Sequence, residues 1–332
     1  MKLTKGLTAL LIIGSLTTAV ATTTRVFAAD SSSSSTSSTN VQTTALSKSY
    51  IVYGAGASNH TEIANVLGAT NDYTALTTTG TDASYIGLSG VADSTMISSV
   101  SLTPATTGAG TLVNIKDYDG QNNITTVTSQ QYAMAATMAG VNDIIINVTS
   151  DKSVTGEAAL AGVYKALAAD GINLNEENTQ AANSVLSATS DAIADNSDDK
   201  SYPGKLTSAV TDTSADLAEK KQAGTTITLN IIGNTLNTNL EKQGIADQTS
   251  DTAKTAIVNS LKLVVNAPIS DSKSFVENAQ NLADKLKNST GDLMAKAKDF
   301  ANSADAKQAT NWFVEHVVNP VKNWIQSIFS KN

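Results

Sequence analysis

The side chains that most often carry catalysis and anion recognition are scarce here: two histidines, His60 and His316, one arginine, Arg25, and no cysteine. The missing thiol removes cysteine nucleophiles, iron–sulfur clusters and cysteine-ligated zinc. A serine nucleophile would need a base within hydrogen-bond reach, and only the two histidines, far apart in sequence, offer imidazole. Gly87-Leu88-Ser89-Gly90 misses the Gly-x-Ser-x-Gly elbow by one position. Each histidine is read as an ordinary residue and not as a metal ligand. Paired carboxylates could cleave glycosides, yet sugar sites favour aromatic platforms and no Trp or Phe lies between Phe27 and Phe275. Asp191, Asp195, Asp198 and Asp199 could offer oxygens to calcium, but the spacing, central glycine and final glutamate of an EF-hand are missing, so a solvated interhelical loop is expected. Gly54-Ala55-Gly56 lacks both the third glycine of a dinucleotide fingerprint and the Gly-Lys-Ser/Thr of a P-loop. It reads as a tight strand-to-helix turn.

The most distinctive cluster is at the other end. Trp312, Phe313, Trp324 and Phe329 bring both tryptophans and two of the five phenylalanines into eighteen residues. Such a segment either closes the core as a packed helix or forms a docking surface for the envelope or a partner chain. Pro320 suits the first turn of a last helix.

The elements that must position these residues fall into two kinds. From 48 to 170 the pattern is α/β: a strand at Tyr50–Tyr53, a helix capped by Ser58 or Asn59 and ended by Gly68, and β-rich stretches at 98–102, 110–115 and 124–127. A helix over 130–139 capped by Thr128 or Ser129, an apolar strand at 144–148 suited to cover on both faces, and a small-residue-rich helix over 156–169 complete it. Beyond 170 the pattern becomes helical, with segments at 176–194, 205–221, 226–240 and 250–265, then amphipathic helices over 275–288 and 291–301. The expected class is α+β or α/β: a small mixed-sheet N-terminal domain with packed helices, followed by a mostly α-helical C-terminal region. The expected divisions are 48–170, a helical region at 171–266 and amphipathic C-terminal helices at 267–332.

Ahead of these, Lys2 and Lys5, an apolar stretch and Val26-Phe27-Ala28 make residues 1–28 read as a secretory signal peptide. A Ser/Thr-rich flexible linker is expected over 29–47. Cleavage would remove three of the 22 basic residues and none of the 30 acidic ones, leaving a formal charge of −11 and no arginine. Such a surface disfavours nucleic acid and anionic membranes. No transmembrane segment is expected after cleavage.

One block carries a resemblance. Ser98-Ser99-Val100-Ser101-Leu102-Thr103-Pro104, Gly108-x-Gly110, Asn-Ile-Thr-x-Val-Thr at 123–128, Tyr132, Ala-Gly-Val at 139–141 and Val154-Thr155-Gly156-Glu157-Ala158-Ala159-Leu160-Ala161-Gly162-Val163-Tyr164-Lys165-Ala166 follow in order. Over residues 48–265 the chain resembles the secreted Firmicute family catalogued as domain of unknown function 1002, departing from it at Asn59-His60, where acidic residues usually open the first helix. The resemblance implies an exported Gram-positive protein and assigns no catalytic residue. The reading is an extracellular, non-enzymatic binding or cell-envelope-associated protein whose partner is a cell-wall component or another envelope protein, with no cofactor. The alternatives are a secreted hydrolase with an unrecognised carboxylate site and a calcium-dependent adhesion module.

Overall fold

Short runs rich in β-branched residues supply the strands. In the computed structural model, which describes residues 46–287 and 289, these are β1 (Tyr50–Gly54), β2 (Thr74–Thr78), β3 (Ser99–Pro104), β4 (Thr111–Ile115) and β5 (Ile144–Thr149). The sheet order is β2-β1-β3-β5-β4. β1 pairs in parallel with β2, and β4 with β5, while β3 is antiparallel to both β1 and β5. The central strand therefore runs against the other four, whose carboxyl ends share one edge of the sheet.

The two-residue period of a strand gives the sheet two different faces. One is apolar: Val52, Val100, Leu102, Val113, Ile144, Ile146 and Val148 enter the main core. On the other, α1 (His60–Leu67) covers Ile51 with Ile63 and Leu67, and a polar ladder continues beside it. There Asn114 Nδ2 donates to Asn147 Oδ1 at 2.7 Å, Asn147 Nδ2 to Ser101 Oγ at 3.2 Å, and Ser101 Oγ to the Leu67 carbonyl at 3.1 Å. Ile145 and Asn147 stay half-buried, so β5 is fully covered on one face only, not on both as its composition suggests.

Seven further α-helices follow among the described residues: α2 (Ser129–Met138), α3 (Glu157–Ala169), α4 (Glu176–Asp195), α5 (Tyr202–Gln222), α6 (Leu229–Lys242), α7 (Asp251–Asn266) and α8 (Lys273–Leu286). α2 is the pivot. A capping box starts it, with Thr128 Oγ1 accepting from Gln131 N at 3.2 Å and Gln131 Oε1 from Thr128 N at 3.0 Å. All ten of its residues are buried, because it lies against β4 on one side and α4, α5 and α8 on the others. A helix buried all round needs no amphipathic stripe. α3 lies on β1, β2 and β3, close enough that a Cβ on Gly162 would stand 3.0 Å from Thr78 Oγ1 and Val100 Cγ1.

The start of the described chain is fastened to the end of α3. The Asp170 carboxylate accepts from Ser47 N at 2.7 Å, Ser47 Oγ at 2.6 Å and Tyr50 Oη at 2.9 Å. Burial alone would raise its pKa, but these bonds outweigh it and hold the carboxyl below its usual range; the Tyr50 phenol is pushed up to about 12, by burial first and Asp170 second.

Four elements differ from their sequence reading. Residues 124–127 form no strand; Ile124 makes one isolated bridge to Val154, and the segment crosses the carboxyl edge of the sheet instead of entering it. α5 begins at Tyr202, taking Pro203 into its first turn, where a missing N–H is harmless. β2 and the 3₁₀ helix Gly80–Ile86 have no counterpart in the sequence reading.

Candidate functional site

In sheets with parallel strands, ligand sites tend to sit outside the carboxyl ends, and the chemistry-bearing residues of this chain gather there. The glycine turn after β1 is closed. A Cβ on Gly54 would stand 2.4 Å from the Met96 and Ile97 carbonyl oxygens, and one on Gly56 2.3 Å from that of Ser94. The turn's amides are engaged: Ala55 N donates to Thr78 O at 2.9 Å, Gly56 N to Met96 O at 2.8 Å and Ala57 N to Gly54 O at 3.0 Å. Ser58 N donates to Asp151 Oδ2 at 2.7 Å, so a carboxylate stands where a phosphate cradle would hold its anion. The turn is a packing device, as its spacing suggests.

Beside it, Asn59 caps α1 by accepting from Glu62 N at 3.3 Å. His60 stacks on Tyr53 with ring centroids 4.2 Å apart and 7° between planes. Tyr118 packs with Ile51 and Ile63 beneath α1; burial, then Asp119, raises its phenol pKa. Asp151 Oδ1 is buried without a hydrogen-bond partner, and Lys152 Nζ donates to the Gly56 carbonyl at 3.3 Å. His60 is thus held in a stack, with no serine bonded to it among the contacts described.

Farther along the same edge lies an open groove of about 450 Å³ between the segment from β4 to α2 and the start of α5. Asp117, Asn122, Thr125, Thr126, Lys200 and Pro203 are among its walls. Ile124 and Val127, buried at 6% and 2% exposure, turn inward beneath it. Asn122 Oδ1 accepts from Ile124 N at 2.9 Å and Thr125 Oγ1 donates to Val154 O at 3.0 Å, which fix the wall. Thr126 is exposed. The groove's size suits a small molecule or a short polymer segment, and its chemistry is hydrogen bonding, with one carboxylate and one ammonium. Sequence reasoning missed these residues; the only local signal was that Thr128 and Pro203 both mark helix starts.

The other residues singled out from sequence lie elsewhere. Asp199 accepts from Ser201 N at 2.8 Å, Ser201 Oγ at 2.6 Å and Gln248 Nε2 at 3.3 Å, and the Ser201 bonds chiefly hold its pKa low. It orders the approach to α5. Among the described residues no three His, Asp or Glu gather closely enough to hold a metal, and no helix is long and apolar enough to cross a membrane. Gly87 ends the 3₁₀ helix Gly80–Ile86. Asp212 is a carboxyl whose pKa is raised, by burial first and then by Asp216 one turn on; Lys242 and Lys287 act against it. Trp312, Phe313, Trp324, Phe329 and His316 lie outside the described residues, as do residues 1–28, where a signal peptide is expected, and the serine run.

No curated protein and no solved structure matches the chain. The family model described as "Protein of unknown function (DUF1002)" matches residues 53–282, from within β1 to within α8, which is more than half of the chain. On that match the chain belongs to the DUF1002 family.

Proposed function

We propose that this chain works outside the cytoplasmic membrane as a non-enzymatic binding protein of the cell envelope, and that the groove between β4, α2 and α5 holds an uncharged, hydrogen-bonding segment of a wall polymer. One observation carries the reading: an open groove of about 450 Å³ walled by hydroxyls, two amides and backbone, with Asp117 and Lys200 as its charges. Closely spaced hydroxyls and amides match the hydroxyl and amide pattern of a glycan or peptide, while an acidic chain without arginine after leader removal repels polyanions. The leader pattern of residues 1–28 supports the location.

The test is retention of the purified mature protein on isolated cell walls. Thr126→Arg fills the groove from an exposed position and is expected to weaken retention about tenfold, or about 1.4 kcal/mol, with an unchanged circular dichroism spectrum. Equal retention of the two proteins, or none of either, overturns the proposal. A chain ending at Ser303 in the same assay separates a contribution of Trp312, Phe313, Trp324 and Phe329 from that of the groove.

A further inference from the structure

α2 runs from the groove to the opposite end of the sheet, where residues 105–110 turn β3 into β4. Between that turn, the end of α2 and one face of α8 lies a cleft of about 40 Å³. Thr111, Thr137, Asn142, Asn278, Asn281 and Lys285 line it. An enclosed water needs about 10–15 Å³, so the space accepts roughly three heavy atoms, the size of a carboxylate and less than a phosphate or sulfate.

The lining is rich in donors. Lys285 Nζ donates to the Ala109 carbonyl at 2.7 Å, leaving two N–H bonds, and makes no ion pair among the described residues. The residue is exposed, with its ammonium held against the turn by that bond; desolvation lowers its pKa and the field of Asp143 acts the other way. Asp143 Oδ1 meanwhile accepts from Gly110 N at 2.8 Å and so shapes the turn. Asn281 lies one helical turn before Lys285 on the same face of α8. Asn142 Nδ2 donates to Asn278 Oδ1 at 3.1 Å, tying the α2 side of the rim to α8. Beneath, Thr111 is 2% exposed and its hydroxyl has no hydrogen-bond partner. An ammonium with two further N–H bonds to give and no direct ion pair among the described residues, and an enclosed hydroxyl without a partner, stand together here, and one oxyanion can accept from both. Gly110 leaves room for the ammonium, since a Cβ there would stand 3.1 Å from Nζ.

We propose that this cleft receives the carboxylate of a small acid or of a peptide terminus, with Lys285 and Asn281 as its donors and Thr111 beneath them. The proposal does not depend on wall binding by the groove. Calorimetric titration of the mature protein with acetate, N-acetyl-alanyl-alanine and the amide of that dipeptide tests it. At least one of the two acids is expected to bind and the amide to fail. Lys285→Met should weaken the acid about tenfold, and Thr111→Val less, because the first removes an ion pair and the second a hydrogen bond from an uncharged donor. Thermal unfolding of Lys285→Met should stay close to the parent's, because the change removes one surface hydrogen bond and one partly desolvated charge, effects of opposite sign. Binding of acetate identifies a free small acid, and binding of the dipeptide alone a peptide terminus. No binding of either acid, equal binding of the amide, or undiminished binding by Lys285→Met overturns it.

Discussion

Tyr164 lies in α3 with its ring fully enclosed and its hydroxyl without a partner. Burial raises the phenol's pKa, so the group is a neutral hydroxyl that has lost water and gained nothing. Removing it keeps the ring and abolishes the deficit. Tyr164→Phe is therefore expected to stabilise the fold by about 1 kcal/mol, seen as a rise of about 2–4 °C in Tm. A fall in Tm would show that the hydroxyl has a partner. The buried place of Tyr164 is legible in sequence, since Leu160, Val163 and Leu167 share its apolar spacing and are also buried. The unpaired hydroxyl is not legible, because it depends on strands and helices distant in the chain. The same limit hid Thr126 and Lys200, exposed polar residues that become a site only through a neighbour about 70 positions away.

At the scale of elements, the signals that proved readable are local ones. Asn59 and Gly68 bound α1, Thr128 caps α2, and α4 spans Glu176–Asp195 against an expected 176–194. β2 carried no such signal: Thr74–Thr78 has no apolar alternation and is held by its register on β1, from Tyr50 opposite Thr74 to Gly54 opposite Thr78. Conversely, 124–127 has β-forming residues but meets only one bridge partner. The turn from β1 to α1 shows how tightly such pieces fit. Gly56→Ala would press a methyl group against the Ser94 carbonyl and is expected to destabilise the protein by about 2 kcal/mol, measured by urea unfolding. An unchanged midpoint would mean that the 94–97 segment yields freely.

For the whole molecule, the fold class was readable because strand-type and helix-type patterns separate along the chain. How the two kinds of element join was not. One hydrophobic cluster runs from Val52 and Val113 in the sheet through Tyr132 and Leu186 to Leu261 and Phe275 in the later helices. A shared core of that kind is expected to melt as one unit, with a single calorimetric peak whose van't Hoff and calorimetric enthalpies agree; two resolved peaks would divide it. The Asp170 clamp adds a mechanical consequence. A pull transmitted from residues preceding Leu46 meets two hydrogen bonds from Ser47 to the Asp170 carboxylate before it reaches β1, whose first residue, Tyr50, adds a third. The strand beyond is an interior one, paired along both edges with β2 and β3, so it has to slide against two neighbours at once and cannot be unzipped from an edge. Acid that neutralises the Asp170 carboxylate is expected to weaken this fastening of Ser47 and Tyr50 to the end of α3, and with it the resistance of β1 to such a pull.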